Sequence, residues 1–320
     1  MRVADHRFRF LSHEALLGAF VLAEVAYFGV RGVNFFTVGN VFEVARASVE
    51  IGLLALGLTA VILTGGIDLS VGSLLGLSAV LMGAAERSLG LPVSLACLAG
   101  VTVGVLGGAL NALLVARFDI PPLIVTLGTF SLFRGLAEGW TGGVRNYTNF
   151  PESFLFLGQG RLPGGPPPQL VLFLVAALFC WLLLHHTAVG RGLRAIGFSP
   201  QGARHAGIPV RRRLALVYLL SGLMSGLAAV VYAARLGQAK ADAGSGFELF
   251  AITAVVLGGT SIFGGRGTVH GTLLGLAAVA VLQNGLRLAD LPAELAGLFT
   301  GVLLIAALAL GRLVSRRSHE

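Results

Sequence analysis

Residues Ile62–Ser73 read ILTGGIDLSVGS. A strongly apolar run, Ile51–Leu63, stops at Thr64-Gly65-Gly66, a lone carboxylate, Asp68, follows, and a second apolar run starts at once and continues to Ala85. In a soluble chain this would be a tight turn. Here the flanks are long and uncharged, which places the break in or at the edge of a bilayer. Backbone groups freed at that depth must be satisfied within the protein or by a water-filled cavity. Two readings of Asp68 stay open. It caps the next helix, as an Asp before an apolar run ordinarily does, or it belongs with Ser70 to a polar path, the default expectation for a carboxylate at membrane depth.

Composition agrees with a membrane setting. Of 320 residues, 55% are hydrophobic and 12% charged, about half the charged share of a soluble domain, and the mean hydropathy is +0.86. The net charge of +8 does not signal nucleic acid, because the arginines gather at the termini and in one loop, the pattern of cytoplasmic flanks. Cys97 and Cys180 lie within apolar runs and form no disulfide framework. Arg2, Arg7 and Arg9 precede the first run as in a signal peptide, but no small-residue cleavage site follows Phe28, so the run reads as a retained span.

A span needs about 20 apolar residues. On that rule ten spans are expected, at 14–30, 49–64, 68–86, 92–116, 122–138, 169–186, 214–234, 248–263, 268–288 and 293–311. The second and eighth are short and end in Gly-rich breaks. The fold class is therefore an all-α polytopic membrane protein, with a transmembrane domain at 14–311 between cytoplasmic tails at 1–13 and 312–320. An even number of spans puts both termini on one side, in accord with Arg312, Arg316 and Arg317 at the far end. The same alternation puts the 187–213 loop inside, where Arg191, Arg194, Arg204, Arg211, Arg212 and Arg213 occur without an acidic residue.

Further residues have specific expectations. Glu24 in the first span faces the bundle interior and finds a polar partner. Residues 31–48 form a short interfacial helix on the outer side, with Glu43 and Arg46 as i,i+3 neighbours. Glycine rows at 100/104/108, 72/76, 222/226 and 267/271/275 argue for close helix packing. Asn111, and Thr126, Thr129 and Ser131 on the fifth span, are polar groups within the bundle; the hydroxyls bond the preceding turn in the ordinary case. Gln283 and Asn284 are the last polar pair, near the outer end of the ninth span. Gly271–Val281 matches Gly72–Met82 at seven of eleven positions by direct alignment, either as an internal repeat or through shared small-residue packing. Residues 139–168, rich in Gly and Pro, form an outer loop. Within the inner loop, Ser199-Pro200 opens a helix and Gly207 with Pro209 closes it, leaving barely two turns at Pro200–Ala206. So short a helix is held by its loop and by a partner.

The chain resembles the inner-membrane permease subunits of ribose-type ABC sugar importers. ILTGGIDLSVGS carries the resemblance together with LVARFDIPPLIVTLGTFSLFRGLA (Leu114–Ala137), GRGLRAIGFSPQGARHAGIPVRRR (Gly190–Arg213) and AITAVVLGGTSIFGGRGTVHGTLLG (Ala251–Gly275). These motifs lie in order over 34–311, interrupted by the Pro-rich insert near 150–168. The resemblance implies a multi-pass permease of the bacterial inner membrane that imports a monosaccharide, ribose-like or autoinducer-2-like. Its partners would be ABC ATPase subunits, an extracytoplasmic solute-binding protein, a second permease copy and the surrounding lipid. It also implies that Gly197 through Gly207, with Ser199, Pro200, Gly202 and Ala203, is the coupling helix that docks on the ATPase. The candidate solute path is Asp68, Ser70, Asn111, Thr126, Gln283 and Asn284. Alternatives are a branched-chain amino acid permease of similar architecture and a channel or secondary carrier that needs no ATPase.

No chemistry of its own is expected of the chain, and no cofactor. Lys240, the only lysine, sits in QAKADA, so no P-loop can form. No H-E-x-x-H or paired-Cys metal motif occurs; His185-His186 reads as an interfacial pair. Only Asp68 and Glu24 are expected deep among the spans, too few ionisable groups for a proton-coupled carrier.

Overall fold

The computed structural model describes residues 13–292 and 295–305. The terminal arginines, the two tails (His13 apart) and the end of the tenth run lie outside the described residues. In chain order the helices are α1 (His13–Arg31), α2 (Val38–Leu63), α3 (Val71–Arg87), α4 (Val93–Ala112), α5 (Pro122–Thr141), α6 (Glu152–Gln159) and α7 (Gln169–Trp181). Then come α8 (Ala188–Phe198), α9 (Pro200–His205), α10 (Val210–Leu236), α11 (Phe247–Leu257), α12 (Val269–Leu288) and α13 (Leu295–Ile305). Single π turns, Leu113–Arg117 and Leu182–His186, prolong α4 and α7.

Each of the ten apolar runs contains a helix, although that of the eighth stops at Leu257 and leaves 258–263 as turns. Five are long and apolar enough to cross a bilayer unaided: α2, α4 and α7 with their π turns, α10 and α12. The protein is an all-α polytopic membrane protein. Its only described sheet is a two-residue antiparallel ladder in which β1 (Tyr147–Thr148) pairs with β2 (Gln238–Ala239), joining two connections at one end of the bundle.

The second span is not short. α2 is continuous from Val38, capped by Thr37, whose side chain accepts from the Asn40 amide at 3.2 Å. Residues 38–48 are therefore its first turns rather than a separate interfacial helix. Their charges are absorbed at once: Arg46 lies 3.4 Å from Glu43, as the i,i+3 spacing suggests, and donates to the Gly158 and Gly160 carbonyls next to α6. Beyond Glu50 every residue of α2 is buried, the mark of a helix surrounded by protein.

α10 lies against α2, α3 and α4. The glycine rows explain how closely. A Cβ on Gly222 would lie 2.8 Å from the Gly108 Cα, and one on Gly226 2.8 Å from the Val101 Cα. Van der Waals contact of backbone on backbone is the main association force open to helices in lipid. The rows that open α3 and α12 do the same against α11 and its approach. Gly76 faces the Ala243 carbonyl, Gly72 the Glu248 carboxylate, and Gly271 and Gly275 face Gly258 and Ala254. Both segments thus use their small residues to pack on α11 and its approach. α11 itself has 11 residues, roughly 16 Å of rise, about half a bilayer core.

Candidate functional site

The break between α2 and α3 is built from both ends. Thr64 closes α2, its hydroxyl donating to the Val61 carbonyl at 2.7 Å, and Gly65 turns the chain with φ of 82°. Ser70, not Asp68, is the residue that starts α3. Asp68 stands two residues before that cap and bonds to it and to α10. Its Oδ1 accepts from the Ser70 amide at 3.0 Å and the Ser70 hydroxyl at 2.6 Å, and its Oδ2 accepts from Ser221 of α10 at 2.8 Å. The Ser70 hydroxyl accepts in turn from Asn111 Nδ2 at 2.8 Å, and Asn111 Oδ1 accepts from Thr129 at 2.7 Å. Thr126 donates to the Ile67 carbonyl at 3.1 Å, which satisfies one backbone group of the break. Of Thr126, Thr129 and Ser131 on α5, Ser131 bonds its preceding turn alone, Thr129 does both, and Thr126 reaches across.

Asp68, Ser70, Asn111 and Thr126 therefore form one cluster that ties α3, α4, α5 and α10, each at most 1% exposed. The Tyr218 hydroxyl, buried beside the break, has no hydrogen-bond partner among the described residues. Gln283 and Asn284 are elsewhere. Asn284 exchanges a pair of hydrogen bonds with Asn40 of α2 at 2.9 and 3.0 Å, and both residues border a cavity of about 640 Å³ among α2, α11, α12 and α13.

The buried charges exceed the two expected. Glu50 is fully buried and takes Arg235 of α10 at 2.6 Å. Glu248 accepts from the Gly246 amide at 3.2 Å where α11 begins. Glu24 is buried as expected, and its Oε2 has no hydrogen-bond partner among the described residues. His185 Nε2 accepts from the Val269 amide at 3.2 Å and His186 lies against Trp181; the pair fastens α7 to the start of α12.

The 187–213 segment holds two helices, one of them unexpected. α8 is capped by Thr187, which accepts from the Val189 and Gly190 amides, and buries Leu193 and Ile196. α9 is formed as its sequence suggests. The Ser199 hydroxyl accepts from the Gly202 amide at 3.0 Å, and Pro200 occupies the first turn. Gly207 takes φ of 76°, with Ile208 bonded back to Ala203 and Gly207 to Arg204, both at 3.0 Å; this is a Schellman end. Ala203 is buried against Ile196 and Val210, so it faces its own loop. The exposed face of α9 is Gln201, Gly202, Arg204 and His205. The loop's missing acid comes from the α4–α5 connection, where Asp119 lies 3.9 Å from Arg204 and 3.3 Å from Arg211.

Gly197 joins this loop to the break. A Cβ there would strike the Leu63 carbonyl and the Gly265 amide; one on Gly264 would lie 2.8 Å from the Gly197 Cα and the Gly65 nitrogen. The Gly265 amide donates to the Leu63 carbonyl at 2.9 Å. The end of α2, the α8–α9 turn and the hairpin after α11 thus meet backbone to backbone. The contact puts the break at the end of the bundle that carries α8 and α9. Glycine spacing along the chain marked none of this, since the three segments are far apart in sequence.

The bundle, with its broken helices and its short capped helix at one end, is of the polytopic membrane class. Residues 40–308 match the permease component of branched-chain amino acid transport systems, and the chain belongs to this family of ABC-importer permeases. It is 38% identical over 312 residues to the autoinducer 2 import system permease protein LsrD of Photorhabdus luminescens, covering 96% of this chain and 93% of the relative. The permeases of the same name from Salmonella typhimurium (38% over 314 residues, 97% and 94% covered) and Yersinia enterocolitica (38% over 311 residues, 96% and 93%) are similarly related. The protein is accordingly a multi-pass inner-membrane component of an import system.

Proposed function

We propose that the chain is the non-catalytic membrane subunit of an ATP-driven importer for a sugar-like solute of the autoinducer-2 type. It would act with a second permease copy, ABC ATPases bound at α8–α9 and an extracytoplasmic solute-binding protein. The 187–213 segment and both termini are cytoplasmic in this reading, and 139–168 lies outside. The observation that carries it is the junction of Gly197 with Leu63 and Gly264–Gly265. A force applied to α9 reaches the end of α2 and the hairpin after α11 directly through backbone, where no side chain can yield. From there it reaches the Asp68 cluster. Gly197, Ser199, Pro200, Gly202, Ala203 and Gly207 have distinct parts in the proposed coupling: Gly197 is the joint, Ser199, Pro200 and Gly207 shape α9, Ala203 seats it, and Gly202 lies on the docking face.

For the solute path we propose Asp68, Ser70, Asn111 and Thr126, which open only when α3 parts from α10. Alternating access requires such a closed layer in one state. Gln283 and Asn284 we place instead at a helix tie, because the cavity they border is lined mainly by apolar side chains, unsuited to a hydroxyl-rich solute. The names of the similar permeases favour autoinducer 2 over an amino acid. Uptake into proteoliposomes holding the whole importer tests this: unlabelled autoinducer 2 or ribose should compete for labelled solute and leucine should not. Competition by leucine alone would make the branched-chain amino acid reading the correct one.

A further inference from the structure

The geometry points to an anionic phospholipid site at the end of the bundle opposite α8 and α9. A cavity of about 300 Å³ opens there between α2, α6, α10 and α12. Four arginines line it, Arg46, Arg161, Arg235 and Arg287, against one carboxylate, Glu43. Two of the four are engaged. Arg46 lies 3.4 Å from Glu43 and donates to the Gly158 and Gly160 carbonyls, and Arg235 holds Glu50 at 2.6 Å. Arg161 and Arg287 are exposed, and among the described residues neither side chain has a hydrogen bond or an ion pair, not even with Asp290 one turn beyond Arg287. The cavity thus carries two guanidinium groups with no ion-pair partner among the described residues, and their forked donors match phosphate oxygens.

The second observation concerns its neighbour. The 640 Å³ cavity shares Ala47 and Arg287 with the arginine cavity. It runs on between α2 and α12 past Val44, Ile51, Leu276 and Val279. A phosphate-sized polar cavity thus abuts a longer apolar one, with Arg287 at the boundary. That order, anion first and then hydrocarbon, is the order of a phospholipid's own parts. A lipid's chains stay in apolar surroundings in the second cavity, as they are in the bilayer, so a lipid can bring its phosphate to the arginines without exposing hydrocarbon to water, and its tether to the membrane keeps the headgroup at hand where a free anion has none.

The test uses the full chain in nanodiscs of phosphatidylcholine with increasing phosphatidylglycerol. Native mass spectrometry reads the lipid retained, and thermal unfolding reads stability. The wild type should retain phosphatidylglycerol over phosphatidylcholine by roughly tenfold, because both lipids offer a phosphate but the choline cation of the second is repelled by the arginines around it. Arg161→Gln with Arg287→Gln should lose that preference while its Tm in pure phosphatidylcholine stays at the wild-type value; Arg161→Lys with Arg287→Lys should keep part of the preference. Inorganic phosphate, titrated in pure phosphatidylcholine, distinguishes the source. If it raises the Tm of the wild type and not of the Gln variant while phosphatidylglycerol is not retained, the ligand is a free anion and the lipid assignment is overturned. Equal retention of the two lipids, or a preference that survives both Gln substitutions, overturns it as well.

Discussion

At the scale of single residues, Asp68 carries more than the start of a helix. It accepts from two hydroxyls and an amide, and it spans from the break to α10. Bonds to a charged acceptor are roughly twice as strong as neutral ones. Asp68→Asn keeps an acceptor for Ser70 and a polar group for Ser221, so the protein should reach the membrane in normal amount while solute uptake falls. Asp68→Ala leaves Ser70 and Ser221 buried without it, at about 1–3 kcal/mol, and should lower the Tm as well. Normal uptake by the Asn variant would reduce Asp68 to a local stabiliser. Arg235→Gln makes the complementary case, because Glu50 is then buried without its cation. Breaking such a pair costs about 3–5 kcal/mol, read as a drop in thermal stability that Glu50→Gln in the same chain partly restores.

At the scale of elements, what spacing encodes was legible and what long-range contact decides was not. The ten apolar runs, both ends of α9 and the glycine rows of α4 and α10 follow from local pattern and are found as such. The start of α2 was misplaced because Glu43 and Arg46 look like an interface; they are tolerated within a helix because Gly158 and Gly160, far along the chain, accept from Arg46. The burial of Glu50 escaped notice for the same reason, its partner being 185 residues away. Ala203, which the resemblance includes in the docking helix, seats α9 on Ile196 and Val210, a contact that local pattern does not encode. Ala203→Trp should therefore dislodge the whole 187–213 segment, whereas Gly202→Trp, on the exposed face, should block docking alone. Limited proteolysis separates the two: cleavage in this segment should speed up in the first variant and stay unchanged in the second.

At the scale of the whole molecule, the account joins an α8–α9 module, a three-way backbone junction and a closed polar cluster into one line of transmission. Sidedness is the first requirement. A cysteine placed at Gly202 should label only from the cytoplasm, and one at Val144, 87% exposed, only from outside. The most direct measurement of the central claim is solute-stimulated ATP hydrolysis by the reconstituted importer, with its binding protein, carrying wild-type chain or Gly197→Leu. A side chain at Gly197 meets the Leu63 carbonyl and the Gly265 amide, so the variant complex should assemble and keep basal hydrolysis but lose most of the stimulation and the uptake. Full stimulation and uptake in Gly197→Leu would contradict transmission through the junction, and uptake by this chain alone, without an ATPase, would contradict the importer itself.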